Sequence, residues 1–397
     1  MLVDLWIRMY SIMMSTILHI ALLPMIVALF VVMLVHPTLV KIARCKKLVD
    51  CPNARKLNKH PVPVLGGVGV LFGIMVGVGL SGCIVYDVVL PAPILIGMII
   101  LLYTGVADDI LDLRPRLKFL LQAFAVLLLA EELYPQNLYG LWGLYYLPVW
   151  LSVAGALIAG VGIINAMNLI DGVDGLCALY ALYASLLFGF SFLMAGDYAY
   201  AALALAVMGS LIPFMLHNLY GSKYKMFLGD GGSLVIGYVC VVYVLRQLQC
   251  EQCAAQGSSL AFSFAVMAVP VCDTLRVMTM RIVGGSSPFR PDKTHLHHLF
   301  ISLGMSHLST AFCVVGLDLV VLMAWAMSVV MGASDEWQLL VSLVAGVFAT
   351  WGVYYSVERA MCRNGRIMRR LRCVIRRNVM RHAPLTERLR RILDDRV

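Results

Sequence analysis

Four short segments hold the residues able to do chemistry in this chain, and carboxylates dominate them. The first is Gly105-Val106-Ala107-Asp108-Asp109, two adjacent acids at the close of an apolar run. Side-by-side carboxylates raise one another's pKa, so such a pair can supply a base or hold a cation. Arg114, Arg116 and Lys118 follow closely, placed either to neutralise phosphate or to anchor the next apolar run at the headgroups. The second segment, Asn165 to Leu176, carries Asn168, Asp171 and Asp174 at intervals of three, with Gly172 and Gly175 each directly after an aspartate. On a helix or tight turn that spacing gathers side chains on one face. Amides beside carboxylates suit a ribose, a uracil or a hydrated metal ion.

The third segment is Phe227-Leu228-Gly229-Asp230-Gly231-Gly232-Ser233, at the opening of another apolar run. Glycines at a helix start expose backbone N–H groups that favour phosphate, and Asp230 is placed to hold a magnesium ion, which takes only one or two protein carboxylates. The fourth runs from Ser287 to His298 and holds Arg290, Lys293, His295, His297 and His298. Magnesium avoids imidazole, so this cationic loop reads as phosphate recognition. The chain lacks a G-x-x-x-x-G-K-[ST] loop and any serine or cysteine nucleophile motif. Carboxylates, a metal seat and cationic clamps are the parts that phosphoryl transfer uses.

These segments must be positioned by a membrane. Of 397 residues, 61% are hydrophobic and 13% charged, against roughly 45–50% and about 25% in a soluble domain. A helix crosses the hydrocarbon with about 20 apolar residues. Eleven such runs are expected, near 16–36, 64–84, 91–107, 117–133, 148–166, 175–194, 199–217, 231–247, 259–279, 308–330 and 337–357. The expectation is an all-α polytopic membrane protein, its first run a retained span rather than a cleaved leader. With the N-terminus outside, 29 of the 31 Lys and Arg fall on the inner side, the exceptions being Arg8 and Arg246. That bias orients the chain with its C-terminus in the cytoplasm, and all four chemical segments then share the cytoplasmic side. Cys250-x-x-Cys253 falls outside, where an oxidising medium permits a disulfide. The tail, 358–397, holds thirteen arginines and no lysine. It reads as a membrane-surface segment or topology anchor, dispensable for chemistry.

The order D-D, N-x-x-N-x-x-D-G-x-D-G-L, F-x-G-D-x-G-S and P-D-x-x-H-x-H-H resembles the polyprenyl-phosphate N-acetylhexosamine-1-phosphate transferases. Val49 to Lys56, with His60, Pro63, Gly66 and Gly67, is similar to that family's first cytoplasmic loop. His295 and His297 are separated by Leu296, which resembles the bacterial transferases using UDP-N-acetylglucosamine more than the phospho-N-acetylmuramoyl-pentapeptide translocases, whose last loop has a bare H-H-H. The resemblance implies a magnesium-dependent (or manganese-dependent) enzyme of the bacterial inner membrane. It would join a UDP-N-acetylhexosamine to undecaprenyl phosphate and release UMP, with no nucleic acid partner; a homodimer stays open.

By motif, the resemblance makes Asp230 the metal ligand, with Asp109 beside it, and Asp108 and Asp109 the catalytic pair. It assigns Asn168, Asp171, Asp174, Phe227 and the first-loop Lys59 to the nucleotide, and Arg116, Arg290, His295, His297 and His298 to phosphate and sugar. Two other classes stay open. A transporter would place acids mid-span, as Asp273 is; a lipid-phosphate phosphatase would leave the Asn-rich segment without a purpose.

Overall fold

Apolar runs become helices in lipid because every backbone N–H and C=O must find its partner within the segment. The computed structural model describes residues 22–50, 61–84, 89–133, 135, 137–254, 258–288, 294–363, 387–390 and 392–394, and eleven long helices lie among them. They are α1 (Leu23–Cys45), α2 (Gly66–Ile84), α3 (Ala92–Leu111), α4 (Pro115–Leu133), α5 (Val149–Ile170), α6 (Leu176–Met194), α7 (Tyr198–Tyr220), α8 (Gly229–Gln249), α10 (Ser259–Val283) and α12 (His307–Val330). The eleventh joins α13 (Asp335–Val347) through a π-helical turn, Phe348–Gly352, to α14 (Val353–Arg363). Short helices α9 (Glu251–Ala254) and α11 (Leu296–Ser302) sit between spans, with two small antiparallel hairpins: β1 (Val49–Asp50) with β2 (Val62–Pro63), and β3 (Asn137–Leu141) with β4 (Leu144–Tyr146).

Ten of the eleven are long and apolar enough to cross a membrane, so the all-α polytopic reading holds. Helix α4 differs by charge rather than length, because Arg116, Lys118, Glu131 and Glu132 stand at its two ends. Several helices outrun the expected spans. Helix α1 continues through Pro37 to Cys45, as membrane helices tolerate when neighbours satisfy the freed backbone groups. Helices α3 and α5 continue through Asp109 and Asn168, and α8 begins before Asp230. The polar residues of the motifs thus stand on terminal helical turns.

Helix α8 is the centre of the bundle: 83% of its apolar window is buried, against 28% in α12. Its first turn is crowded. A Cβ at Gly67 would strike the backbone of Gly232, and one at Gly105 the backbone of Gly231, so bare glycines let α2 and α3 reach α8. A polar seam secures α10. Pro270 has no N–H, which leaves the Val266 carbonyl without its helical donor; the Tyr180 hydroxyl donates to it at 2.8 Å. Asp318 of α12 accepts from the Val269 N–H at 2.9 Å. These bonds tie α6, α10 and α12 together.

The far end of α8 carries Cys250 and Cys253 as buried free thiols. Around the β3–β4 hairpin at the same end, Trp142, Tyr145, Tyr146 and Trp150 are exposed. Amphipathic rings of this kind settle at headgroup level.

Candidate active site

The carboxylates converge at the end of the bundle where α3 and α5 finish and α4 and α8 begin. Asp108 and Asp109 occupy the last turn of α3, which Asp112 closes in the left-handed region at φ 53°. The Lys118 ammonium bridges the carboxylates of Asp108, at 2.8 Å, and Asp230. The Leu113 N–H donates to Asp108 Oδ1 at 2.9 Å, and the Asp230 N–H to Asp109 Oδ2 at 3.0 Å. From α5, Asn168 Nδ2 donates to Asp230 Oδ1 at 3.2 Å and to Ser233 Oγ at 2.7 Å. Three motif segments therefore close on one residue, Asp230. Asn165 turns away, bonded to Gln122 of α4 at 2.6 Å.

The first loop meets the same place through its backbone. The Phe227 N–H donates to Pro63 O at 2.8 Å, while the N–H groups of Gly66 and Gly67 donate to Phe227 O and Leu228 O at 3.1 and 2.8 Å. Lys59 and Arg290 lie outside the described residues.

A cavity of about 1360 Å³ opens between these elements, larger than the ~300–1,000 Å³ of a drug-sized site. Asp109, Asn168, Asp171, Asp174, Phe227 and Asp230 all line it. Burial pushes the Asp171 carboxyl well above the usual range, and the charges of Asp230, Asp174 and Asp109 push it the same way. Asp174 goes the other way. Burial raises it, but the bond to His307 and the charge of Lys225 outweigh burial and hold it below the usual range. Lys225 Nζ is 2.6 Å and His307 Nδ1 is 3.0 Å from Asp174 Oδ2, and Lys225 lies 5.6 Å over the Phe227 ring.

The histidines divide. His298 lines the cavity. His297 is buried behind it, its Nε2 against Gly172, where a Cβ would come to 3.0 Å. Burial, then the neighbouring His298 and His295, push its pKa down to about 3, so His297 is a neutral wall rather than a cation. His295 is buried and places Nδ1 2.9 Å from Asp273 Oδ2. Asp273 also accepts from Arg276 Nη2 at 2.7 Å, and the same guanidinium donates to Thr294 O at 2.6 Å with the Tyr354 ring 3.7 Å away. Asp273 is thus a fully partnered fastener of the histidine loop, which removes the observation that had favoured an ion path.

Arg116 is exposed and does not line the cavity; Lys118, two residues on, reaches the carboxylates. Which basic residue of that run faces inward depends on the phase of α4, which only packing sets. Lys225 and His307 are likewise inconspicuous in the sequence. Each is a lone polar residue at the edge of a span, a weak signal without its partner, Asp174.

Among the described residues, no three His, Cys, Asp or Glu side chains form a ready metal cage. The donor set nonetheless fits a hard divalent cation, which needs only one or two protein oxygens and completes its shell from phosphate and water. The seat already holds a cationic group, since Lys118 bridges Asp108 and Asp230.

Acids, amides and a large polar cavity at one end of a lipid-soluble bundle define a membrane-embedded transferase acting on phosphorylated substrates. The profile of glycosyl transferase family 4 matches residues 92–247. The undecaprenyl-phosphate alpha-N-acetylglucosaminyl 1-phosphate transferase of Yersinia pestis is 30% identical over 341 residues, covering 83% of this chain and 89% of that protein. The Escherichia coli (strain K12) protein of the same description is 29% identical, covering 85% and 91%. A probable undecaprenyl-phosphate N-acetylglucosaminyl 1-phosphate transferase of Bacillus subtilis (strain 168) is 27% identical, covering 71% and 77%. The chain belongs to glycosyl transferase family 4, within the polyprenyl-phosphate N-acetylhexosamine-1-phosphate transferases that its motifs resemble.

Proposed function

We propose that this enzyme transfers N-acetylglucosamine-1-phosphate from UDP-N-acetylglucosamine to undecaprenyl phosphate, releasing UMP, at the cytoplasmic face of a bacterial inner membrane. The product would initiate a cell-envelope glycan. The closure of three motif segments on Asp230 is the observation that carries this reading. Lipid phosphate has a second pKa of about 6 and is mostly a dianion at neutral pH, so it needs little help from a base. One of its oxygens forms the new bond to the β-phosphorus of the donor, the bond from that phosphorus to the bridging oxygen breaks, and UMP departs.

Asn168, Asp171, Asp174 and Phe227 line the part of the cavity suited to the nucleoside, and His298 stands where sugar or diphosphate would pass. Lys118 offers positive charge between Asp108 and Asp230. Magnesium, or manganese in its place, held by Asp230 and Asp109 would supply charge neutralisation to the diphosphate.

Purified enzyme given labelled UDP-N-acetylglucosamine and undecaprenyl phosphate should release UMP only when the lipid is present and magnesium or manganese is supplied. UMP release without lipid, or preference for a muramoyl-pentapeptide donor, would reject the assignment. Orientation has its own test. Cys45 and Cys83 are exposed at the ends of α1 and α2, which run in opposite directions. In single-cysteine variants of intact spheroplasts, an impermeant thiol reagent should label Cys83 and spare Cys45; the reverse pattern would invert the topology.

A further inference from the structure

The arginine-rich end of the chain reaches the cavity. Residues 387–390 and 392–394 are helical, with Leu389 and Leu393 half-buried on one face. Asp394 Oδ1 accepts from the backbone N–H groups of Ser222 and Lys223 at 3.2 and 3.0 Å. Those residues belong to the loop between α7 and α8 that carries Lys225 and Phe227. Arg390 lies on the cavity wall.

Charge explains why a cation is needed at that place. Asp50, Asp108, Asp109, Asp112, Asp171, Asp174 and Asp230 all line the cavity, with Arg44, Lys225 and Arg390 as the Lys and Arg residues among its described lining. Lys225 is committed to Asp174, and Lys118 to Asp108 and Asp230. Arg390 makes no ion pair with another described residue. A diphosphate entering so acidic a space needs uncommitted positive charge, and a guanidinium binds phosphate oxygens in pairs.

We propose that residues 387–390 and 392–394 bring Arg390 to the wall of the donor site, where it binds the diphosphate of the nucleotide-sugar, and that Asp394 anchors it against the α7–α8 loop. The proposal deepens the donor assignment above and rests on it. It replaces the expectation that the tail is dispensable.

The test is calorimetric titration of the detergent-solubilised full-length enzyme with UDP, without lipid acceptor, followed by steady-state kinetics. Wild-type enzyme that fails to bind UDP would reject the donor class, a failure separate from this one. Given wild-type binding, Arg390→Ala should raise the Kd for UDP and the KM for UDP-N-acetylglucosamine about tenfold. The kcat at saturating donor and the KM for undecaprenyl phosphate should stay within about twofold, and Arg390→Lys should recover part of the loss. Asp394→Asn should weaken UDP in the same sense by less, because the amide oxygen still accepts. Arg388→Ala, an exposed neighbour away from the cavity lining, controls for general charge and should change nothing. Unchanged UDP binding in folded Arg390→Ala overturns the proposal, as does an equal loss in Arg388→Ala. A chain ended after residue 386 should behave as Arg390→Ala does; tighter UDP binding or faster turnover in it would mean that the segment occludes the cavity, and overturns the proposal as well.

Discussion

Buried Asp273 and the half-buried or exposed aspartates of the cavity are treated in opposite ways. Asp273 is surrounded by donors: Arg276 on one oxygen, His295 on the other, and the Leu296 N–H across both. Among the described residues, Lys118 pairs with Asp108 and Asp230, while Asp171 is pushed upward by burial and by the charges of Asp230, Asp174 and Asp109. A saturated carboxylate in a low-dielectric setting fixes structure. An under-compensated cluster is held ready for charge from outside, which under the proposed function would be a metal ion with its phosphates. Composition does not separate the two; burial and the count of donors around each oxygen do.

The contrast predicts that the two groups fail differently when mutated. Asp230→Asn keeps the volume and the Asn168 contact but loses the charge that would hold a metal. Turnover should fall by about a thousandfold, roughly 4 kcal/mol in the barrier, with thermal stability unchanged or slightly raised as repulsion is relieved. More than a tenth of wild-type turnover at saturating magnesium would remove Asp230 from the site. Asp273→Asn should do the reverse. Removing one partner of a buried ion pair leaves Arg276 uncompensated, a loss of about 3–5 kcal/mol. The melting temperature in detergent should drop, and turnover should fall with the folded fraction. A stable, inactive Asp273→Asn protein would move Asp273 into the chemistry and erase the contrast.

Much of this site was legible before any fold, because its parts are polar residues interrupting apolar runs. Asp108, Asp109, Asn168, Asp171, Asp174 and Asp230 stand out for that reason, and the bilayer's thickness dictates the spacing of the runs between them. The same reasoning misplaced the span ends. An apolar-run criterion stops at the first polar side chain, whereas the helical backbone continues through Asp109 and Asn168, whose side chains find partners beyond the helix. Lys118 could not be distinguished from Arg116 without the phase of α4. Arg276 was visible three residues from Asp273, but His295, which completes the cluster, lies 22 residues away. The placement of Arg390 required a contact between Asp394 and a loop 171 residues earlier. No local pattern encodes contacts of that range.

A third, smaller effect follows from the crowding of Asp171. Its carboxyl is raised by burial and then by three like charges, so an unfolded chain would hold the charge more easily than the folded one does. Such a group weakens the fold as pH rises above the ordinary carboxylate range. Asp171→Asn should therefore raise the melting temperature of the ligand-free enzyme at pH 7, by a margin that shrinks toward pH 4. At the same time it should weaken nucleotide binding. A lower melting temperature at pH 7 would show that Asp171 is compensated like Asp273.

The smallest expected effect concerns His297, which lies between the two groups and can be assigned by its titration. Its folded pKa is near 3, against about 6.5 in an unfolded chain. Between those values the unfolded chain binds more protons, so stability falls as pH drops through 6.5 toward 3. One unit of pH is worth about 1.4 kcal/mol over that window, which sets an upper bound of about 2 kcal/mol at pH 5. His297→Gln removes the titration while keeping a polar end near Gly172. The melting temperature of the wild type should fall more steeply between pH 7 and 5 than that of the variant, and the two curves should converge toward neutral pH. Parallel curves would mean that His297 carries a proton in the folded enzyme. It would then belong with the cations of the cavity, and the histidine loop would supply charge there instead of a neutral wall.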